Sequence, residues 1–319
     1  LHAWFNPYRA HHIQGGELGA KSIVNKRPEL ALKLGDDGYW WLDPGKQSTQ
    51  DHSYAVVMDV LRRYDVDGIH FDDYFYPYPS YNDNRDFPDD ESWRAYTSGG
   101  GKLALADWRR DNVNRFIQRI YKAIKKEKKH VRFGLSPFGI WRPGYPKSIR
   151  GLDQYDVLYA DARLWLHKGW LDYLSPQLYW PIRQVPQSYP VLLAWWVREN
   201  KKDRHIWPGL YASGVDGERG ADEIVNQVMV ARALASQGPG HVHFSMKALQ
   251  KNYGGLADSL IGRPYAQPAL IPTSPWLDDQ PPQPPSLKID IEDEDVRVQW
   301  AHAEVDDVWR WVVYYKRGG

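Results

Sequence analysis

The sequence contains no cysteine, which excludes disulfide bridges, thiolate catalysis and cysteine-ligated zinc. Its formal net charge is only +1, so no general electrostatic field attracts nucleic acid or an anionic membrane surface. No apolar run is long enough to span a bilayer, and no signal peptide is visible. We therefore expect no nucleic-acid partner and no membrane span, and we expect any export signal or lipid anchor to lie upstream of this chain.

The common cofactor and metal motifs are missing as well. There is no G-x-G-x-x-G fingerprint, no P-loop, no H-E-x-x-H pair and no G-x-S-x-G nucleophile elbow. His241 and His243 share one face of a strand-like segment, but the sequence offers them no evident third ligand. We therefore expect chemistry that needs neither a cofactor nor a metal ion.

Aromatic side chains are abundant and unevenly chosen, because 16 Trp and 21 Tyr accompany only 8 Phe. Tyr and Trp combine a flat apolar face with a polar edge. Sugars present the matching pattern of apolar C–H faces and hydroxyl rims. Large aromatic residues also fill protein cores, but Phe would serve a core better than Tyr or Trp. The bias therefore favours a hydrated, aromatic-lined cleft that binds a carbohydrate.

Strand-like and helix-like patterns alternate along the first 262 residues. Apolar residues at helical spacing separate the strands, and Asp107 is the predicted N-cap of one helix. Such alternation indicates parallel strands joined by crossover helices. Six units predict an α/β fold, a TIM (β/α)8 barrel that lacks its first two strands in this chain. The predicted strands cover residues 1–6, 68–72, 131–136, 173–179, 206–211 and 242–246.

The composition changes near the end of the chain. Residues 263–285 are rich in proline, which predicts a stiff linker after a barrel over residues 1–262. Residues 286–319 alternate apolar and polar side chains, and Val312 and Tyr314 continue the pattern. This alternation is typical of the opening strands of a fibronectin type III-like sandwich. The tail is far shorter than the roughly 90–100 residues of a complete sandwich, so we predict a partial module.

Strand parity predicts which side chains face the barrel interior, because alternate residues point to opposite sides of a strand. Ile69 and Phe71 belong against the outer helices, so His70 and Asp72 point inward. The inner faces of the other strands are polar and aromatic too, whereas a purely structural barrel would be filled with aliphatic residues. These inward residues are His2, Trp4, Asn6, Gly134, Ser136, Ser175, Gln177, Tyr179, Trp207, Gly209, Tyr211, His243, Ser245 and Lys247.

A carboxylate at position 72 is the central feature of the predicted interior. Burying it unpaired would cost on the order of several kcal/mol. It is therefore either neutralised by an ion pair, with Arg9 or Lys247 as the partner, or functional. Asp73 follows at the strand end and is also placed to reach the cleft, where two close carboxyl groups would share a proton. His70 either orients Asp72 or is a satisfied core histidine.

Glycoside cleavage usually needs two carboxyl groups, one to protonate the leaving oxygen and one to assist at the anomeric carbon. Glu218 lies in the loop after the strand over residues 206–211, and such loops overhang a barrel mouth. A solvated loop acid is an equally good interpretation of Glu218, and Asp161 and Asp216 are weaker candidates. We predict Asp72, Asp73 and Glu218 as the catalytic set.

Side chains suited to positioning a sugar accompany these acids. Planar amide and guanidinium groups donate hydrogen bonds of fixed geometry to hydroxyl or N-acetyl groups. Aromatic rings at strand ends offer stacking faces, although a single Trp is more commonly a packing residue. The predicted substrate-binding residues are Asn6, Arg9, His70, Tyr74, Trp141, Gln177, Tyr179, Trp180 and Tyr211.

Four segments resemble, in the right order, motifs of the glycosyl-hydrolase-like family 10. They are HAWFNPYR at residues 2–9, DGIHFDDY at 67–74, SPFGIW at 136–141 and DYLSPQLYW at 172–180. The resemblance covers residues 1 to about 262. It implies a TIM barrel, a location in the bacterial cell envelope and a glycan substrate, with peptidoglycan strands as a substrate within the family. It also supports the absence of two N-terminal strands.

A weaker similarity connects residues 67–74 with the D-G-x-D-x-D-x-E motif of family 18 chitinases. Asp67, Gly68 and Asp72 match that motif. His70 replaces its first inward Asp, and Tyr74 stands at the position of its catalytic Glu. The chitinase mechanism therefore cannot be carried over whole.

Two functions remain open from the sequence. The first is a glycoside hydrolase of a bacterial N-acetylated glycan, secreted or held in the periplasm or at the outer membrane. The alternative is a non-catalytic glycan-binding barrel that kept the aromatic cleft and lost its chemistry. Either function predicts a polysaccharide or glycan strand as the partner.

Overall fold

Short parallel strands run through the N-terminal part of the chain in the computed structural model, which describes residues 1–36, 38–217, 219–292, 295–302, 311 and 313. The strands up to residue 243 are β1 (His2–Phe5), β2 (Arg9–His11), β3 (Ala31–Leu34), β4 (Tyr39–Leu42), β5 (Gly68–Phe71), β6 (Arg132–Leu135), β7 (Tyr173–Leu174), β8 (His205–Ile206), β9 (Gly209–Leu210) and β10 (Val242–His243). One parallel sheet has the order β1-β5-β6-β7-β8, and β9 pairs with β10 in parallel. The prediction of an α/β protein with a parallel sheet is confirmed.

Helices separate these strands along the chain. They are α1 (Ile23–Lys26), α2 (Gln47–Arg63), α3 (Asp90–Ser98), α4 (Leu105–Glu127), α5 (Gln154–Val157), α6 (Ala162–Lys168), α7 (Tyr189–Glu199), α8 (Ala221–Leu234), α9 (Met246–Gln250) and α10 (Leu256–Gly262). Short 3-10 helices cover Ile13–Gly15, Pro28–Leu30, Pro79–Asn82, Val185–Gln187, Ala212–Asp216 and Tyr253–Gly255. Among the helices of the described residues, none combines the length and the apolarity needed to cross a membrane.

The sheet buries one face against the helices, as the strand parity predicts. Ile69 and Phe71 of β5 are completely buried, and the ring of Phe71 stacks on Phe116 of α4. Val113 and Ile117 of the same helix are completely buried too, which follows from their helical spacing. The opposite face of the strands is therefore free to carry polar side chains.

The start of α4 differs from its prediction. The helix begins at Leu105, and Ala104 is the N-cap residue without a side-chain hydrogen bond. Asp107 lies inside the first turn, where a carboxylate still interacts favourably with the helix dipole, and it pairs with Arg110 at 2.7 Å. The predicted cap at Asp107 is therefore wrong, although the helix itself is present.

Three strands are shorter or more broken than predicted. The strand predicted over 242–246 ends at His243, because Ser245 is the N-cap of α9. The other two are interrupted by proline, which cannot donate a backbone hydrogen bond. Pro176 follows β7 closely, and the ladder beyond it continues only through isolated bridges at Gln177. Pro208 separates β8 from β9 within the segment that was predicted as one strand.

Two features were not predicted from the sequence. An antiparallel sheet with the order β2-β4-β3 follows β1 and carries Arg9. The long stretch after β5 is ordered, because the buried Arg109 guanidinium bonds Asp86 at 2.8 Å and Asp89 at 2.6 Å. This charge network ties the loop to α4, and the loop carries Tyr78 beside the strand ends.

By its internal contacts the chain separates into two units, Leu1–Thr273 and Ser274–Gly319. In the second unit β11 (Ser286–Glu292) and β12 (Asp295–Ala301) form an antiparallel pair. Its register places Leu287 opposite Trp300 and Ile289 opposite Val298, so the apolar residues share one face. Val312 and Tyr314 lie outside the described residues. The predicted boundaries at 262, 285 and 286 stay predictions.

Candidate active site

An open cavity of about 550 Å³ lies against the inner side of the parallel strands. Histidine and aromatic side chains make up most of its wall. Among its described lining residues Asp72 is the one carboxylate, and neither lysine nor arginine occurs there. Such a wall suits a ligand with apolar faces and many hydroxyl groups. The lining residues are His2, Trp4, His70, Asp72, Ser136, Tyr173, Ser175, Gln177, Tyr179, Trp207, Gly209, His241, Val242, His243 and Phe244.

Asp72 follows β5 directly, and hydrogen-bond donors from several parts of the chain surround its carboxylate. Its Oδ2 accepts from the indole Nε1 of Trp4 at 3.2 Å. Its Oδ1 accepts from the backbone N–H of Asp73 at 2.9 Å and from Nε2 of Gln177 at 3.0 Å. The hydroxyl of Ser136 lies 3.5 Å from the same oxygen. Donors in this number favour the ionised carboxylate.

The predicted ion-pair partners do not neutralise Asp72. Neither Arg9 nor Lys247 forms a salt bridge with it in the part of the chain that the structure describes. Burial raises the pKa of Asp72, and hydrogen bonds from Asp73 and Trp4, followed by the more distant charge of Arg9, offset part of that rise. Asp72 is therefore a carboxylate that faces an open cavity without a bonded cation.

Asp73 is buried, with 3% of its surface exposed, and does not line the cavity. Its Oδ2 accepts a hydrogen bond from the hydroxyl of Tyr78, whereas its buried Oδ1 has no N–H or O–H donor among the described residues. Burial, and then the charge of Asp72, raises the pKa of Asp73 to about 8. Burial and the close negative charges therefore favour one shared proton on the carboxyl pair, and the deeper burial of Asp73 favours its position there.

His70 lines the cavity but does not bond Asp72 directly. Its Nε2 lies 2.8 Å from the hydroxyl of Ser136, and its Nδ1 lies 2.8 Å from the hydroxyl of Tyr173. Burial lowers the pKa of His70 to about 3, so the ring is neutral at physiological pH. Ser136 stands between this ring and the carboxylate.

Gln177 and Tyr179 are the predicted substrate-binding residues that, with His70, line the cavity. The Nε2 of Gln177 donates to the carbonyl of Ser136 at 2.9 Å as well as to Asp72, which fixes the orientation of its amide. The ring of Tyr179 stacks on Phe244 with centroids 5.6 Å apart. Burial raises the pKa of Tyr179, so its hydroxyl stays protonated and can donate to a ligand.

Arg9, Tyr74 and Asn6 do not line the cavity, and the first two lie near the carboxyl pair. The Arg9 guanidinium stacks over the Tyr74 ring at 4.0 Å. Burial raises the pKa of the Tyr74 hydroxyl, and the charges of Asp73 and Asp72 raise it further, which places this ring close to both acids. Asn6 and Arg9 border a separate cavity of about 150 Å³.

The other three predicted stacking residues do not line the cavity. Trp141 is buried, stacks on Trp195 at 5.9 Å and donates to Asp161, so its faces serve packing. Trp180 packs edge-on against Phe138. Tyr211 lies one ring behind, 5.7 Å from the centroid of the Tyr179 ring.

The predicted catalytic residue Glu218 lies outside the described residues, and the side chain of Asp216 does too. Asp161, the other alternative, caps α6 through the backbone N–H of Leu164 and accepts from Trp141. That arrangement gives Asp161 a structural task away from the cavity. Within the described lining, the cavity thus has a single carboxylate.

Several functional neighbours were missed by the sequence reasoning. Tyr173 precedes Ser175 by two residues, so extending the strand parity by one step would have placed it inside the barrel. Tyr78 lies in a loop, where parity gives no direction. Parity pointed Phe244 outward, which is wrong because Phe244 lines the cavity, whereas His241 was already placed on one face with His243. Within the described residues no group of three metal-ligating side chains converges, and His241 and His243 both face the hydroxyl of Tyr265.

Comparison with known proteins defines the class of this chain. The sequence profile of the family described as glycosyl hydrolase-like 10 matches residues 2–223. The chain belongs to this family, and the resemblance found in its four motifs is confirmed.

Two curated relatives carry names of the same kind. The chain is 37% identical over 310 residues to "Glycosyl hydrolase YngK" of Bacillus subtilis, which covers 92% of this chain and 59% of that protein. It is 36% identical over 245 residues to "Glycosyl hydrolase DigH" of Escherichia coli K12, covering 71% and 54% respectively. The chain thus spans little more than half the length of these relatives.

A solved structure supports the fold. The "PgaB (BpsB) glycoside hydrolase domain from Bordetella bronchiseptica" superposes with a TM-score of 0.52 at 14% sequence identity, covering 81% of this chain and 73% of that one. At this identity the similarity concerns the backbone fold. It agrees with the parallel strands and crossover helices described above.

Proposed function

We propose that this chain carries the catalytic barrel of a glycoside hydrolase that cleaves a bacterial N-acetylated glycan, with peptidoglycan glycan strands as the substrate. The single observation that carries the proposal is the position of Asp72 in the wall of an open cavity with aromatic sides. Four donor groups surround its carboxylate, yet no cation in the described residues is bonded to it. The names of the two relatives agree with this chemistry.

In the proposed mechanism Asp72 is the carboxylate that assists at the anomeric carbon, where positive charge develops. Its four donors hold it ionised and in one orientation. Asp73 keeps a proton behind it and limits the negative charge of the pair to one. We assign the leaving-group acid to Glu218, on the loop after β9, from the sequence alone.

Aromatic rings and one amide are proposed to position the sugar. Tyr179 and Phe244 form a stacked wall, and Trp4 offers a ring that is 54% exposed. The two amide hydrogens of Gln177 bond Asp72 and the Ser136 carbonyl, so its amide oxygen is the group proposed to accept a hydrogen bond from a sugar hydroxyl. Arg9 and Tyr74 border the carboxyl pair from the other side, and they are proposed to contact the neighbouring sugar unit.

The sheet geometry fits a proposed complete barrel. Within the described residues β1 pairs only with β5 and β10 pairs only with β9, and side chains from both outer strands line the cavity. Two further parallel strands between these edges would complete a TIM barrel. We propose that the full protein supplies them, and that the strands after the linker begin a fibronectin type III-like module. A longer chain that includes the preceding segment is expected to melt at a higher temperature.

The proposed location is the bacterial cell envelope, with a lipid anchor upstream in the full protein. This follows from the envelope glycan as substrate and from the family resemblance. Fractionation of cells that express the full-length protein tests it, and recovery in the cytosol alone would contradict it.

One observation favours a second candidate, a glycan-binding barrel without catalysis. Tyr74 stands where family 18 chitinases carry their catalytic Glu, and its ring is occupied by Arg9. Release of reducing ends from peptidoglycan strands stripped of stem peptides, measured beside chitin oligomers, separates the candidates. Binding without any release from either polymer would favour the second.

A further inference from the structure

A continuous chain of polar contacts leads from the lower part of the cavity to Asp72. The hydroxyl of Tyr173 lies 2.8 Å from Nδ1 of His2 and 2.8 Å from Nδ1 of His70. Nε2 of His70 lies 2.8 Å from the hydroxyl of Ser136. That hydroxyl lies 3.5 Å from Oδ1 of Asp72. The five members come from β1, β5, β6 and β7 or their ends, with His70 on β5 and Asp72 directly after it, so the contacts cross the sheet sideways and return to β5.

Strand register and one glycine create the space for this chain. His70 of β5 is level with Gly134 of β6, and Gly134 is level with Tyr173 of β7. A Cβ atom on Gly134 would stand only 2.0 Å from the Tyr173 ring. Because glycine lacks that atom, the ring lies across the strand, stacked on His70 and on Trp207. Its hydroxyl thereby reaches the two histidines.

The number of available hydrogens allows two polarities for this chain of contacts, that is, two directions in which its hydrogen bonds can all point. A neutral imidazole has one N–H, and each hydroxyl has one O–H. If Tyr173 donates to Nδ1 of His70, the histidine N–H is on Nε2 and donates to Ser136, whose own O–H is then free for Asp72. If His70 carries its proton on Nδ1, Ser136 donates back to Nε2 and presents only lone pairs to the carboxylate.

The ionisation of Asp72 selects between these polarities. An ionised carboxylate attracts the Ser136 hydrogen and repels its lone pairs. His70 is half-buried in the cavity wall and neutral, so it carries a single N–H in either case. In the first polarity every donor of the chain meets an acceptor, with His2 donating from Nδ1 to the Tyr173 oxygen.

We propose that Tyr173 and His70 act through Ser136 as positioning residues that hold Asp72 ionised, with the His70 proton on Nε2. The catalytic consequence of this inference rests on the proposed function, in which Asp72 is the carboxylate that assists at the anomeric carbon. Its physical content does not depend on that function. Protonation of Asp72 would reverse the direction of the hydrogen bonds through Ser136 and His70, and His70 would stay neutral.

Other titratable groups also face this chain and must be held constant in any test. Asp73, Arg9, Tyr74 and Tyr179 face Asp72 from its own strand end and from the surrounding loops. His2 lies near His70, and Arg132 and Asp67 act on His2 in turn. Substitutions at positions 136 and 173 leave all of these charges in place.

The test is an NMR titration of the protein as it exists, with no substrate. The pKa of Asp72 is read from its side-chain carboxyl carbon in the unmodified protein, in Ser136→Ala and in Tyr173→Phe. We expect Ser136→Ala to raise this pKa by roughly half a unit to one unit, since one donor to the carboxylate is lost, and Tyr173→Phe to raise it by less. Ser136→Thr keeps the hydroxyl and is expected to restore the unmodified value.

A second readout needs no substitution. The imidazole nitrogen shifts of His70 are expected to show a protonated Nε2 above the pKa of Asp72 and a protonated Nδ1 below it. A proton on Nδ1 while Asp72 is ionised would overturn the proposal. This measurement also covers the case in which Ser136→Ala fails to fold.

The matched controls remove hydroxyl groups elsewhere. Ser175 lines the same cavity, and its hydroxyl is buried without a hydrogen-bond partner among the described residues, so Ser175→Ala is expected to leave the Asp72 pKa unchanged. Tyr189 is as deeply buried as Tyr173 and bonds Gln227, so Tyr189→Phe is the control for the tyrosine. Equal shifts of the Asp72 pKa in the control and test variants would refute the proposed link from Tyr173 through Ser136 to Asp72. A chain confirmed in a protein that cleaves no glycan would refute only the proposed function.

Discussion

Asp73 turns away from the cavity that its neighbour Asp72 lines, and its carboxyl group bonds Tyr78 in the protein interior. Consecutive residues at a strand end thus have opposite environments. Asp72 is surrounded by donors and faces the cavity, while Asp73 is buried and holds a proton. In the proposed mechanism, this difference gives Asp72 a role toward the ligand and Asp73 a role toward Asp72.

The burial of Asp73 predicts a stability that falls as pH rises. Its folded-state pKa of about 8 lies above the unfolded value of 3.8, so the folded protein keeps a proton that the unfolded chain loses. Its contribution is fully present below pH 3.8 and declines up to about pH 8. Urea unfolding of the unmodified protein and of Asp73→Asn across this range measures the effect.

We expect the free energy of unfolding of Asp73→Asn, relative to the unmodified protein, to increase by roughly a few kcal/mol between pH 4 and pH 8. The exposed residue Asp59 pairs with Arg63 on α2 and provides the control, Asp59→Asn. A difference between Asp73→Asn and the unmodified protein that stays constant over the whole range would contradict the assignment.

Gln177 is expected to govern both the charge and the orientation of Asp72. Gln177→Leu removes the donor at 3.0 Å while nearly keeping the side-chain volume, so the pKa of Asp72 rises and its orientation is lost. We predict a loss of kcat of about 10- to 100-fold, equivalent to roughly 1.4–2.7 kcal/mol of activation free energy. Kinetics on soluble glycan strands measure this loss. An unchanged kcat with a raised KM would assign Gln177 to binding alone.

The ring of Tyr179 is expected to bind the sugar without taking part in bond cleavage. Tyr179→Ala removes the stacking face beside Phe244, and we predict a KM about 3- to 10-fold higher with kcat nearly unchanged, from an aromatic contact of roughly 0.5–1.5 kcal/mol. Tyr179→Phe keeps the face and separates the ring from the hydroxyl. A fall in kcat of both variants would instead give the hydroxyl a chemical role.

Arg109 is predicted to be a major source of stability for the loop after β5. Arg109→Met leaves Asp89, which is 2% exposed, without its cation, and we expect a loss of about 3–5 kcal/mol in unfolding free energy. Arg115 lies on the same helix and forms an exposed pair with Asp111, so Arg115→Met is expected to cost about 1 kcal/mol or less. Chemical denaturation measures both, and equal losses would contradict the network.

The sequence predicted the sheet well because strand parity is local information. The alternation of Ile69, His70, Phe71 and Asp72 between two environments is all that is needed to place Asp72 in the cavity. The parity of residues 175–179 likewise placed Gln177 and Tyr179. Apolar spacing found the helices between the strands, α4 among them, for the same reason, since burial on one face leaves a periodic pattern.

The remaining features depend on long-range packing, which no local pattern contains. Trp141 and Trp180 follow strands, as a stacking residue would, but Trp141 turns into the space beside Trp195. The local sequence around Asp73 is compatible with a position in a cleft or in a core. Its burial depends on the loop that carries Tyr78, whose hydroxyl bonds the carboxyl group. The position of the Tyr173 ring depends on a glycine in the neighbouring strand.

The most direct test of the account compares cleavage with binding in Asp72→Asn. The substitution keeps the shape of the side chain and removes its charge. We predict that release of reducing ends from peptidoglycan strands free of stem peptides falls by at least about 10³-fold, while the affinity for the same strands, measured by calorimetry, changes by less than about 3-fold. Cleavage at the unmodified rate, or loss of binding in proportion to cleavage, would contradict the role given to Asp72.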